Sequence, residues 1–197
     1  MKRARTAYTA QPWRIHEYTR DFRVEDVWSF RTPGAGPEDF PVMLDAMRSD
    51  GGFGRQSPAA RLLFAVRWKL GALLGWDDDR AGLGARVRSL RERIPEELRR
   101  TTEGVAPDGT PFSPVYLLPT ESAAEIANRT VHAVMHLGWA PADAGGYELR
   151  MAVLVKSNGR LGRLYMALIA PFRYLVVYPA LTRQWERAWR ERGRGRG

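Results

Sequence analysis

"TVHAVMHLGW", residues 130–139, decides the fold, together with "YELRMAVLV", residues 147–155. In the first stretch the odd positions are Val131, Ala133, Met135, Leu137 and Trp139; the even ones are Thr130, His132, Val134, His136 and Gly138. In the second, the odd positions are Tyr147, Leu149, Met151, Val153 and Val155, while Glu148 and Arg150 are even and Lys156 follows. Successive side chains point to opposite sides of a strand. Each stretch therefore reads as a strand with one apolar, buried face and one mixed face. "APADAGG", residues 140–146, is the loop that joins them as a hairpin with the apolar faces aligned.

The same alternation decides what the two histidines can do. On a helix, residues four apart would make a metal-ligand pair. Along a strand they lie roughly 13 Å apart, whereas a metal–nitrogen bond is only ~2 Å, so His132 and His136 do not share an ion. Both fall on the mixed face, with Glu148 and Arg150 of the next strand as their expected neighbours. The plain reading is second-layer or solvent-facing histidines. The catalytic reading is an isolated general base at His132 or His136. No metal site is expected.

Working outward, "VYLL" (115–118) and "SAAEIA" (122–127) are β-prone and precede the tight turn at Asn128 and Arg129. "RVEDVWSF" (23–30) is a first strand, and "IHEY" (15–18) is read as extended. "EDFPVMLDAMRS" (38–49) is a helix with Glu38 and Asp39 in its first turn, where the helix dipole favours acids. Residues 57–75 form the clearest helix, with Ser57 as N-cap, Pro58 at the first position, leucines at helical spacing and Gly75 as C-cap. "RSLRERI" (88–94) is a short helix stopped by Pro95, and 100–114 is a loop. After Gly159 a long helix runs to about Arg192, bent at Pro171 and Pro179. The pattern is α+β: helices early, a run of antiparallel strands, and a long helix last. A curved antiparallel sheet packed around a long, apolar C-terminal helix is the helix-grip plan. One domain is expected over residues 1–192, followed by a disordered basic tail at 193–197.

Composition removes several classes of chemistry. The chain has 197 residues and no cysteine, which excludes disulfides, thiolate zinc sites and cysteine nucleophiles. The net charge is +9 and almost all of it is arginine, spread through every segment. Only the tail "RQWERAWRERGRGRG" concentrates it, so nucleic acid ranks third among the expected partners. "LYMALIAPFRYLVVYPAL" (164–181) approaches the length of a membrane span, but Arg173 and the prolines at 171 and 179 argue for a buried helix. The first residues lack the apolar run of a secretory signal, so a cytoplasmic location is expected. The Asp77–Asp79 run fails the calcium-loop spacing, because position 12 is Arg88. "GAGPED" and "GLGARV" lack the third glycine of a dinucleotide fingerprint, and no phosphate loop or nucleophile elbow is present. No cofactor is expected.

Arg173 lies among apolar residues, and a buried guanidinium must be paired. Its partner is either an internal carboxylate, such as Glu121 or Glu125, or the acid group of a bound ligand, unless it snorkels to the surface. In the second case Met135, Trp139, Tyr147, Met151 and Tyr165 are the candidate walls of the ligand pocket.

"QPWRIHEYTRDFRVEDVWSFRTPG", "RWKLGALLGWDD", "AAEIANRTVHAVMHLGWAP" and "MAVLVKSNGRLGRLYMALIAPFRYLVVYPAL" together resemble the bacterial family called domain of unknown function 2867, over roughly residues 12–189. That resemblance implies kinship with the START, polyketide-cyclase and birch-pollen-allergen (SRPBCC) superfamily, whose fold grips a helix around an apolar cavity. It supplies no catalytic residues. The first functional expectation is therefore binding of a small apolar or amphipathic molecule between sheet and C-terminal helix. The second is an enzyme, such as a cyclase, hydrolase or dehydratase, using the same cavity. The third is a partner bound through the basic tail.

Overall fold

The computed structural model describes residues 1–49, 87–102, 112–127, 131–157 and 159–192, with backbone only for 160–165. The helix expected over 57–75, the Asp77–Asp79 run and the 193–197 tail lie outside the described residues. In chain order the elements begin with α1 (Arg5–Thr9), α2 (Ile15–Tyr18), β1 (Arg23–Arg31) and α3 (Phe40–Ser49). A 3-10 turn (Leu90–Glu92) and α4 (Glu96–Arg100) follow. Then come β2 (Ser113–Leu117), β3 (Glu121–Ala127), β4 (Val131–Pro141) and β5 (Tyr147–Ser157). The chain ends in α5 (Gly159–Phe172), a π-helical turn (Arg173–Val177) and α6 (Tyr178–Glu191).

The five strands form one antiparallel sheet in the order β1-β5-β4-β3-β2. β4 and β5 are the hairpin that the alternation predicts, with Trp139 opposite Leu149 and Leu137 opposite Met151. Gly145 and Gly146 turn the loop between them at φ of 88° and 73°, a region side chains avoid. β1 pairs with β5, so Trp28 and Phe30 extend the same apolar rows. The class is α+β, as the sequence indicates, with the long C-terminal helix laid across the apolar face. That helix and α3 bury Phe30, Met43, Leu149, Met151, Leu181 and Trp185 between themselves and the sheet.

The mixed face is covered too, which the alternation alone does not reveal. Tyr8, Trp13, Ile15, Leu90, Ile94 and Leu98 close over Val134, Ala152 and Leu154. The sheet is thus the middle of three layers. "IHEY" is not extended: it is the single helical turn α2, with Ile15 fully buried and Thr19 Oγ1 donating to the Ile15 carbonyl at 2.7 Å. Trp13 just before it packs against Gly138, where an added Cβ would sit 2.4 Å from the indole ring. Tertiary packing of these two large residues outweighs the weak local preference for strand. Pro95 likewise opens α4 rather than only stopping the turn before it.

The C-terminal helix meets its two prolines with a π-helical turn between them. Pro179 has no N–H for the preceding turn, and the Tyr178 N–H bonds the Arg173 carbonyl five residues back. No helix among the described residues is long and apolar enough to cross a membrane.

Candidate functional site

The apolar face is not completely filled. Between α3, α6 and strands β2 to β4 lies a cleft of about 140 Å³, walled by Leu44, Met47, Ala124, Met135, Leu137 and Trp185. A second, more open groove of about 310 Å³ continues from it past Phe40, Pro41, Leu118 and Pro119, and the two share Leu44, Arg48 and Leu117. The sheet positions the first set of walls: Met135 and Leu137 point inward on β4, and Ala124 opposite Met135 leaves the room. Arg48, on the last turn of α3, stands at the junction with its Nη1 3.2 Å from Asp45. At the other end Thr102 and Pro114 form the wall. The Arg91 guanidinium donates to Thr102 Oγ1 at 2.7 Å, the Pro114 carbonyl at 3.0 Å and the Arg99 carbonyl at 3.2 Å.

Of the pocket residues expected from sequence, Met135 lines this cleft. Trp139 and Met151 lie deeper, packed into the core, and the Trp139 indole N–H is fixed on the Gly36 carbonyl at 2.9 Å. Tyr147 is partly buried and stacks on Trp139. The side chain of Tyr165 lies outside the described residues. The α3 residues Leu44, Met47 and Arg48 were not expected at the site. Their helical spacing was legible, but not which part of the sheet α3 would cover.

Arg173 is buried but is not among the residues lining the cleft. An internal carboxylate does pair with it, but it is neither Glu121 nor Glu125. The guanidinium faces β1, with Nη1 3.5 Å from Asp26 and Nη2 3.6 Å from Glu25. The pairing register slips between Val24 and Asp26. Such a bulge sets two residues against one, which lets adjacent carboxylates reach one cation. Asp26 also accepts hydrogen bonds from the hydroxyls of Tyr174 and Tyr178, the latter at 2.6 Å. Burial, followed by the Asp26 charge, pushes the Tyr178 hydroxyl well up, so it stays protonated and remains a donor.

Glu121 and Glu125 are taken by the histidines on the opposite face. His136 Nε2 lies 2.9 Å from Glu121 and His132 Nε2 2.7 Å from Glu125, all four groups buried. A carboxylate can only accept, so Nε2 carries the hydrogen in both pairs. Glu121 also accepts from the Tyr116 hydroxyl at 2.7 Å and the Arg14 N–H at 2.8 Å; Glu125 accepts from the Ser89 hydroxyl and the Leu90 N–H at 2.9 Å. Burial pushes both carboxyls up, but these donors, led by the histidines, outweigh it and hold both below the usual range. Burial pushes His136 down, against the pull of Glu121. The pair is therefore an anionic carboxylate and a neutral imidazole.

The expected neighbours of the histidines, Glu148 and Arg150, are incorrect: Arg150 Nε bonds Glu148 at 2.8 Å, and across β5 the histidines face Lys156 and Ala152. The missed signal was spacing. Glu121 and Glu125 are four apart, like His132 and His136, in consecutive, paired strands. Each carboxylate reaches from the sheet to the segment above it: Glu121 to Arg14, Glu125 to Ser89 and Leu90. The chemistry this favours is attachment of the outer layer to the sheet.

The family model described as protein of unknown function (DUF2867) matches residues 18–180. No curated protein and no solved structure matches the chain.

Proposed function

Starting from a chain that belongs to the DUF2867 family, we propose that it is a cytoplasmic helix-grip protein, related to the SRPBCC superfamily, that binds a small apolar or amphipathic molecule. The site is the cleft between α3, α6 and the inner face of β2 to β4. One observation carries this reading. The apolar face is packed around Trp139, Leu149 and Met151, yet opens beside Met135 into a space walled by leucine, methionine and tryptophan. A concave apolar site with few polar groups is the usual form of a small-molecule pocket. An apolar cavity of roughly 150 Å³ is enough to hold a benzene ring, and the adjoining groove leaves length for a tail.

Binding is favoured over catalysis because both histidines face away from the cleft, under the outer layer. Arg173 keeps a place in the reading only as a support, since it ties the C-terminal helix to β1 and so fixes the helix that bears Trp185. The test is titration with 1-anilinonaphthalene-8-sulfonate, followed by its own fluorescence. Wild type is expected to bind at one saturable site, and Met135→Trp, which fills the space, to lose it while unfolding at the same urea concentration. Equal binding by the filled variant contradicts the reading.

A further inference from the structure

We propose that the molecule held in the cleft is an acid, with its apolar part between Met135 and Trp185 and its carboxylate received by Arg48. This rests on the binding reading above and names the substrate class. Among the described residues, Arg48 is the only charged one lining both cavities, and its side chain keeps about half its surface exposed (51%). Its one ion-pair partner among the described residues, Asp45, is three residues back on the same helix and 67% exposed. An exposed pair of that kind is weak, so an incoming carboxylate can take its place. The guanidinium fork presents parallel N–H groups that match a carboxylate in pairs.

The far wall points the same way by independent means. Arg91 is fixed on a hydroxyl and on backbone carbonyls, all neutral acceptors, and has no carboxylate partner among the described residues. Among the described residues its positive charge therefore meets no carboxylate where it sits, directly behind Thr102 and Pro114. A charge beside a low-dielectric cleft acts across it more strongly than through water. With Arg48 at the mouth, Arg91 behind the wall and +9 on the whole chain, a cationic ligand is repelled. A neutral one leaves Arg48 unused. Asp45 is the one acid at the groove among the described residues, and its exposure lets water screen it.

The experiment is isothermal titration at low ionic strength with three ligands of equal tail length: octanoate, octanol and octyltrimethylammonium. Octanoate is expected to bind at least about tenfold more tightly than octanol, as a charged hydrogen-bonded contact allows. Arg48→Gln, a change at an exposed position, is expected to remove that advantage and leave octanol unchanged. Added salt is expected to weaken octanoate alone. Equal affinity for octanoate and octanol, tighter binding of the ammonium ligand, or octanoate binding indifferent to Arg48→Gln overturns the acid assignment while leaving the cleft as a binding site. Failure of all three ligands to bind overturns both.

Discussion

Glu121 on β3 and His136 on β4 are hydrogen-bonded across the strands at 2.9 Å, both buried, and the pair sits under Trp13 and Tyr8 rather than under the long helix. The outer layer therefore rests on a polar row inside the protein. Each member is satisfied at Nε2 or at carboxylate oxygen, whereas His136 Nδ1 has no hydrogen-bond partner among the described residues. Removing the acceptor is costly, because each buried donor left without one costs about 1–3 kcal/mol. Glu121→Ala strands the Tyr116 hydroxyl, the His136 N–H and the Arg14 N–H together. It is expected to lower the urea midpoint well below that of a surface Glu→Ala control such as Glu97→Ala; a midpoint equal to the control would contradict the pairing.

The same row sets the acid limit of stability. His136 is held below its ordinary value of about 6.5, and Glu121 and Glu125 below about 4.3. All three groups bind protons more readily unfolded than folded, so stability rises with pH. It is expected to be full above about pH 6.5. It falls below that as the unfolded histidine protonates, and falls again below about pH 4.3 as the two carboxylates must take up protons. His136→Gln keeps a donor to Glu121 and removes only the first decline. Chemical denaturation from pH 4 to pH 8 checks this: identical pH profiles for variant and wild type would show that His136 does not titrate as described.

Gly138 matters for the Trp13 ring above it, not for a backbone turn. Adding one methyl places it 2.4 Å from indole carbons, and overpacking of that kind costs about 1–3 kcal/mol. Gly138→Ala is expected to destabilise by that amount, and Trp13→Leu, which costs packing by itself, to remove most of the additional penalty. A double-mutant cycle reads the coupling; additive losses would place the ring elsewhere.

Arg173 and Asp26 form a buried charge pair, and neither tolerates the loss of the other. Removing one member of such a pair costs about 3–5 kcal/mol. Asp26→Ala is expected to lose that much and also to free the hydroxyls of Tyr174 and Tyr178. Tyr174, whose hydroxyl burial and the Asp26 hydrogen bond push up to about 12, is then expected to titrate nearer 10. Ultraviolet difference spectra against pH follow it; an unchanged tyrosine transition would contradict the contact.

The sheet and the long helix were legible because period-2 alternation in 131–139 and 147–155 is a local property, set by which side of each residue is buried. The partners of the buried charges were not. Arg173 finds Glu25 and Asp26 through a bulge in β1, and a one-residue slip in register leaves no mark in composition. Residues 15–18 were misread for a related reason: a four-residue helical turn has almost no intrinsic signal, and it is the bare surface of Gly138 under Trp13 that seats the chain there. The cleft wall supplied by α3 was hidden in the same way, since a helix shows which of its faces is apolar but not what that face meets.

The most direct test of the central claim is native mass spectrometry of the protein purified from its own host, beside Met135→Trp purified identically. The account expects wild type to carry a small molecule of defined mass that gentle collisional activation releases as an anion, and the filled variant to fly without it. Wild type free of any such molecule, or a molecule retained equally by the variant, would contradict a binding site in the cleft between α3, α6 and the sheet.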